Sequence, residues 1–274
     1  MQCDVFTSVP TTGAGLAVVV DGAGLSDEQM QTFAVWTNLA ETTFLLPPRM
    51  PAADYKVRIF TPKRELPFAG FPTLGSCAAW LQAAGKPGQK SVVRQECGVG
   101  IVDIDVSGAI PAFAAPETSI APLPHATREA IISALGLSES RVLRTARLAN
   151  GPVWQVLELA SAADVLAVDP GRLGSARFPG LGLIGAYPEG SECQFEVRNL
   201  GPNSGTIEDP ITGSLNAAIA YWMYGAGPWR APVTIAQGTC LGRPGRLFVR
   251  RDNDTGTVWA GGHTWILIDG MLTL

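Results

Sequence analysis

The chain has 274 residues, 46% of them apolar and only 16% charged. That composition excludes a disordered chain and fits one large domain or two ordinary ones around a well-buried core. The net charge is −4 and no basic cluster is longer than Lys63-Arg64 or Arg250-Arg251, so no nucleic-acid partner is expected, because such binding needs a concentrated positive footprint.

The apolar run at 14–20 is too short to cross a bilayer and follows no basic segment, so no membrane partner is expected and a soluble, cytoplasmic protein is. The five cysteines (Cys3, Cys77, Cys97, Cys193 and Cys240) are odd in number, widely spaced and without a CxxC pair. They read as reduced thiols, not as a disulfide framework or a zinc site. With only His125 and His263 as histidines, a His-based metal site or a Ser-His-Asp triad has little to draw on, and no metal is expected.

In chain order, residues 5–6 and 16–20 predict strands around a Pro/Gly turn. Ser26 followed by Gln29 is a capping-box signature, and Met30, Phe33, Ala34 and Leu39 recur at helical spacing, which predicts a helix over 27–37. A strand over 42–46 stops at Pro47-Pro48, and 55–60 alternates with period two as a half-buried strand does. The stretch ELPFAGFPTLG at 65–75 leads into an apolar helix over 73–84 with Gly85 as its C-cap. Strands follow at 92–93 and 100–106.

From about residue 115 the order begins again. A strand over 154–159 precedes a helix over 161–168 capped by Ser161. Strands at 183–187 and 195–198 match 42–46 and 57–59 in order. Then comes EDPITGSLNAA and an apolar helix reaching Tyr224, followed by strands at 233–235, 246–250, 258–260 and 265–268. At an offset of 143, Glu65 aligns with Glu208, Pro67 with Pro210 and Gly70 with Gly213, whereas Arg58 aligns with Arg198 at 140, so the second loop is three residues longer. A repeat of this size predicts two similar halves.

Each copy of the motif puts a glycine at or just before a helix start. The first N–H groups of a helix lack intrahelical partners and carry partial positive charge. A glycine there lets a ligand approach the backbone, which makes an anion site without Arg or Lys. Two such starts, at Gly70 and Gly213, facing one interface would clasp a small carboxylate. The plainer reading of either copy alone is a turn glycine. A partly desolvated carboxyl beside such a site has its pKa raised and can both accept and donate a proton. The candidates are Glu41, after the first helix, and Asp209, inside the second motif. Glu65 and Glu208 read as structural, Arg58 and Arg198 as ordinary strand-face cations.

The stretches 12–18, 25–30, 38–44 (Asn38-Leu39-Ala40-Glu41-Thr42-Thr43-Phe44), 58–62, 65–70 and 208–214 together resemble the phenazine-biosynthesis PhzF-like family, in order across nearly the whole chain. The resemblance implies an α+β fold of the diaminopimelate epimerase-like kind. It has two pseudo-symmetric halves, 1–114 (completed by the C-terminal strand, about 265–274) and 115–264. Each half is a curled antiparallel sheet or barrel around a central helix, and the active site lies in the cleft between them. It implies an isomerase that moves a proton on a small carboxylic acid without metal or organic cofactor. Glu41 matches the family's proton-shuttling glutamate, Asp209 its second-motif aspartate, and Gly213 and Ser214 its substrate-binding Gly-Ser; Gly70 and Phe71 fall at the first motif's substrate-binding turn.

Neither turn carries the cysteine used by two-thiol epimerases of the superfamily, which disfavours that mechanism. The chain departs from the family at three polar positions: Ala14 stands in place of an Asn, Ala40 in place of a Ser and Phe71 in place of a His. Each lost contact in a buried site costs about 1–3 kcal/mol, so the family's dihydro-hydroxyanthranilate is expected to fit poorly, and Phe71 favours a more apolar ligand. The alternative is a catalytically altered member that only binds a small carboxylate. A symmetric homodimer is the default assembly.

Overall fold

A computed structural model describes residues 1–88, 91–174, 176, 178–201 and 207–273. The loop insertion expected before the second motif falls on 202–206, outside the described residues. In the first stretch of chain the elements are β1 (Gln2–Val5), β2 (Ala14–Val19), α1 (Asp27–Thr37), β3 (Glu41–Leu46), β4 (Tyr55–Phe60), β5 (Glu65–Leu66), α2 (Gly70–Gln82), β6 (Val92–Cys97), β7 (Gly100–Asp105) and β8 (Ala112–Ala114). The second stretch contains β9 (Ser119–Ala121), α3 (His125–Leu135), β10 (Val142–Ala149), β11 (Val153–Leu159), α4 (Ala162–Leu166), β12 (Leu181–Ala186), β13 (Phe195–Leu200), β14 (Glu208–Asp209), α5 (Gly213–Gly225), β15 (Val233–Gln237) and β16 (Gly245–Arg251). Last come β17 (Val258–Gly261) and β18 (Thr264–Ile268). The chain divides into two compact units, one of Met1–Ala115 with Trp259–Leu274, the other of Pro116–Val258.

In the first unit β18 pairs antiparallel with β1 and β1 with β2, β2 runs parallel to β3, β3 pairs antiparallel with β4, β4 runs parallel to β6, and β6, β7, β8 and β17 continue antiparallel. The second unit repeats that sequence. β9, β10 and β11 are antiparallel, β11 is parallel to β12, β12 antiparallel to β13, β13 parallel to β15, and β15 antiparallel to β16. The short strands β5 and β14 flank β4 and β13 in the same way. Each sheet is therefore mixed, not wholly antiparallel. The reason is local: where a helix lies between consecutive paired strands, as α1 does between β2 and β3, the crossover brings the second strand back parallel to the first.

α2 and α5 are apolar on all sides, as helices enclosed by a sheet must be. Every residue from Gly70 to Cys77 is buried, and in α5 everything from Gly213 to Ala220. α1 lies on the first unit's sheet through Met30, Phe33 and Ala34, which pack with Phe44 and Phe60. Its start carries the full capping box: the Ser26 hydroxyl accepts from the Gln29 main-chain N–H at 3.2 Å, and the Gln29 side chain accepts from the Ser26 N–H at 2.9 Å.

Two expectations need correction. α2 begins at Gly70, three residues before the periodic pattern, and its left-handed residue after the end is Ala84 (φ 68°) instead of Gly85. Gly85 is required for another reason: a Cβ there would lie 2.4 Å from the Trp80 ring. Arg198 is not an ordinary strand-face cation. It is 2% exposed, and the outward face of β13 that carries it is covered by α4.

Candidate active site

Glu41 opens β3, half-buried, beside Leu16 of β2 in the parallel register. Two residues on and therefore on the same face, Thr43 accepts a hydrogen bond from the Ser76 hydroxyl of α2 at 2.9 Å. That face of β3 is the one turned toward α2, and Glu41 sits at its beginning.

The start of α2 is held by a buried polar chain. The Tyr55 hydroxyl donates to Gln95 Oε1 at 2.9 Å, Gln95 Nε2 donates to Thr73 Oγ1 at 3.0 Å, and that hydroxyl donates to the Ala69 carbonyl at 2.9 Å. Gly70 is the first helical residue and Phe71, 5% exposed, the second. The N-cap is Ala69, which has no side chain able to cap, so the first-turn N–H groups keep their partial positive charge.

In the second unit Asp209 ends β14, and Gly213 and Ser214 open α5 after a short turn. The N-cap of α5 is Thr212, a residue that usually satisfies first-turn N–H groups, yet its hydroxyl does not cap. It donates instead to Asp209 Oδ2. Burial pushes the Asp209 carboxyl up from its ordinary 3.8 to about 6; hydrogen bonds from Thr212, from Asn199 and from the Ile211 main chain oppose that rise, and the neighbouring Glu208 charge adds to it. The Ser214 carbonyl accepts from Asn150 Nδ2 at 2.8 Å, and Asn150 Oδ1 accepts from Trp154 Nε1 at 3.0 Å, which ties the start of α5 to β11.

Sequence reading missed the residues that hold Asp209. Asn199 Nδ2 and Gln237 Nε2 both donate to Thr212 Oγ1, at 3.0 and 3.1 Å, and Asn216 Nδ2 donates to the Thr212 carbonyl at 2.9 Å. Strand pairing brings Asn199 opposite Asp209, so the signal lies in register, not in local pattern. Cys77 is 1% exposed and its thiol is pushed up to about 12 by burial, which removes it as a nucleophile at neutral pH. Among the described residues no group of three or more His, Cys, Asp and Glu side chains gathers as a metal site would, and no helix is long and apolar enough to cross a membrane.

The model of the phenazine biosynthesis-like protein family matches residues 3–270. The chain is 33% identical to the trans-2,3-dihydro-3-hydroxyanthranilate isomerase of Pseudomonas aeruginosa, over 91% of this chain and 88% of that one. It is 32% identical to antisense-enhancing sequence 1 of Schizosaccharomyces pombe, over 98% of this chain and 96% of that one. Among solved structures, a predicted epimerase from Pseudomonas aeruginosa superposes with a TM-score of 0.79 at 29% identity, covering 100% of this chain and 98% of the other. The fold is the diaminopimelate epimerase-like one that racemase and epimerase structures share. The chain therefore belongs to the phenazine biosynthesis-like family and is an enzyme of the isomerase kind found there.

Proposed function

We propose that the chain moves a proton on a small carboxylic acid, with Glu41 and Asp209 as its acid/base groups. The first-turn N–H groups at Gly70 and at Gly213 each suit a carboxylate, and Ser214 orients the one at α5. The observation that carries this reading is at α5. A carboxyl lifted to about 6 lies just before a helix start that no side chain caps. Such a carboxyl gives and takes protons near neutral pH, and the helix start favours an anion. The role of Glu41 rests on its place in the family's motif at 38–44 and on its position on the α2-facing side of β3.

The test is solvent deuterium uptake into small cyclic and unsaturated carboxylic acids, beginning with trans-2,3-dihydro-3-hydroxyanthranilate, the compound named for the Pseudomonas aeruginosa relative. An accepted acid should gain deuterium, and Glu41→Gln should slow the gain by about 10²–10⁴-fold. A variant that exchanges as fast as the parent would remove Glu41 from the mechanism.

A second reading is favoured by one observation: Phe71, buried at the α2 start, offers no hydrogen bond where the family has histidine. On that reading the protein binds a carboxylate without turning it over. A ligand that raises the melting temperature, with no exchange in any acid tried, would favour it.

A further inference from the structure

The hydrogen bonds around Thr212 determine a direction. A hydroxyl has one hydrogen and two lone pairs. Among the described residues Thr212 Oγ1 has three neighbours: Asn199 Nδ2 at 3.0 Å, Gln237 Nε2 at 3.1 Å and Asp209 Oδ2. The orientation of the Gln237 amide is fixed by the backbone. Its Oε1 accepts the Thr212 main-chain N–H at 3.1 Å, so its Nε2 is the end that meets Thr212 Oγ1 and the Asp209 carbonyl, the latter at 3.1 Å. Asn216 agrees: its Nδ2 donates to the Thr212 carbonyl at 2.9 Å and to Gln237 Oε1 at 2.6 Å. Asn199 is oriented by the carboxylate to which it also donates.

Two N–H donors thus fill the acceptor sites of the Thr212 hydroxyl, and its single hydrogen is left for Asp209 Oδ2. We infer that Gln237, acting through Thr212, makes Oδ2 of Asp209 a permanent acceptor, so that the proton Asp209 transfers is carried on Oδ1. Gln237 is a positioning residue: it touches the carboxyl's support and acts through it. Gln237 and Asn216 are wholly buried, and Asn199 and Thr212 nearly so, so water does not compete for these bonds. The arrangement belongs to the second unit alone. At the motif's offset of 143 its counterparts in the first unit are Leu66 for Asp209 and Ala69 for Thr212, neither of which could build it.

The inference rests on Asp209 being a proton-carrying group, and its test reads the carboxyl without substrate. The carbonyl stretch of protonated Asp209, assigned by its loss in Asp209→Asn, is recorded by infrared spectroscopy below pH 5. In the parent it should lie at the frequency of a hydrogen-bonded carbonyl, because Oδ2 is then the C=O and accepts from Thr212. Thr212→Val should move it to higher frequency and Thr212→Ser should restore it. Gln237→Glu keeps the shape but turns a donor toward Thr212 into an acceptor when ionised. It should draw the hydroxyl hydrogen away and raise the Asp209 titration midpoint. With an accepted acid, Thr212→Val should lower kcat about tenfold, the worth of one hydrogen bond, with KM within about twofold. A parent band at the free-carbonyl frequency, or one that Thr212→Val leaves in place, overturns the inference even if Gln237→Glu does not fold. The catalytic reading fails separately, if Asp209→Asn still exchanges deuterium at the parent rate.

Discussion

Arg198 and Glu208 form a two-pronged ion pair inside the second unit, Nε to Oε1 at 3.0 Å and Nη2 to Oε2 at 2.6 Å, with 2% and 3% of the side chains exposed. Arg58 and Glu65 repeat it in the first unit at 2.8 and 2.7 Å, but there 20% and 42% remain exposed. The third guanidinium nitrogen differs too. Arg198 Nη1 donates to the Val165 and Val168 carbonyls at the end of α4, whereas Arg58 Nη1 meets Asp27 at the start of α1. The same pair of repeat positions is thus a buried clamp in one unit and a partly exposed contact in the other.

The two pairs should differ in what their loss costs. Removing one partner of a buried pair strands the other charge, at about 3–5 kcal/mol, whereas an exposed pair contributes about 0–1 kcal/mol. Glu208→Gln should therefore lower the urea midpoint far more than Glu65→Gln. Equal shifts would mean that water reaches Arg198.

Asp209 should give the fold a specific pH dependence. Its folded midpoint of about 6 lies above its ordinary 3.8. Below the lower value both states hold the proton, and the group contributes nothing. Between the two values the folded state keeps a proton that the unfolded chain has lost, so stability falls as pH rises. Above about 6 both are ionised, and the loss is complete. Asp209→Asn abolishes this slope. Urea unfolding of parent and variant from pH 3.5 to 7 reads it directly: the parent's stability relative to the variant should decline through the window and then level off. A difference that stays flat would place the carboxyl in ordinary solvent.

How much of this could be read from sequence follows from distance along the chain. The capping box at Ser26 and Gln29 spans four residues, and the starts of α2 and α5 fall on the glycines that the repeated motif singles out. These are local features, and local features leave a pattern. Gln237 lies 28 residues beyond the Asp209 carbonyl it holds, on a strand that pairs with β13 only after the chain has passed through α5. Nothing near position 237 advertises that contact. α3 escaped for a different reason. Its N-cap is Pro124 without a side-chain bond, and its buried residues are only Ile131, Ile132 and Leu135, too few to set a period. The mixed sheets, finally, follow from crossovers that a strand-by-strand reading does not order.

Phe71 offers the most direct test of how the first motif has diverged. It is the second residue of α2, 5% exposed, in a turn whose polar support ends at Thr73. Phe71→His should return a hydrogen-bonding ring to that place. The helix start disfavours a positive charge there, so the imidazole should be neutral, and without a ligand its buried polar atoms cost about 1–3 kcal/mol. The melting temperature should therefore fall. Affinity should change selectively: an acid carrying a hydroxyl or amino group should gain about fivefold over the same acid without it, since one new hydrogen bond is worth about 1 kcal/mol. Phe71→Leu serves as the control, because it loses packing but adds no donor; it should lower stability and leave the ratio unchanged. Calorimetric titration of matched acids against the three proteins gives the ratios. If histidine and leucine shift them alike, position 71 does not meet the ligand.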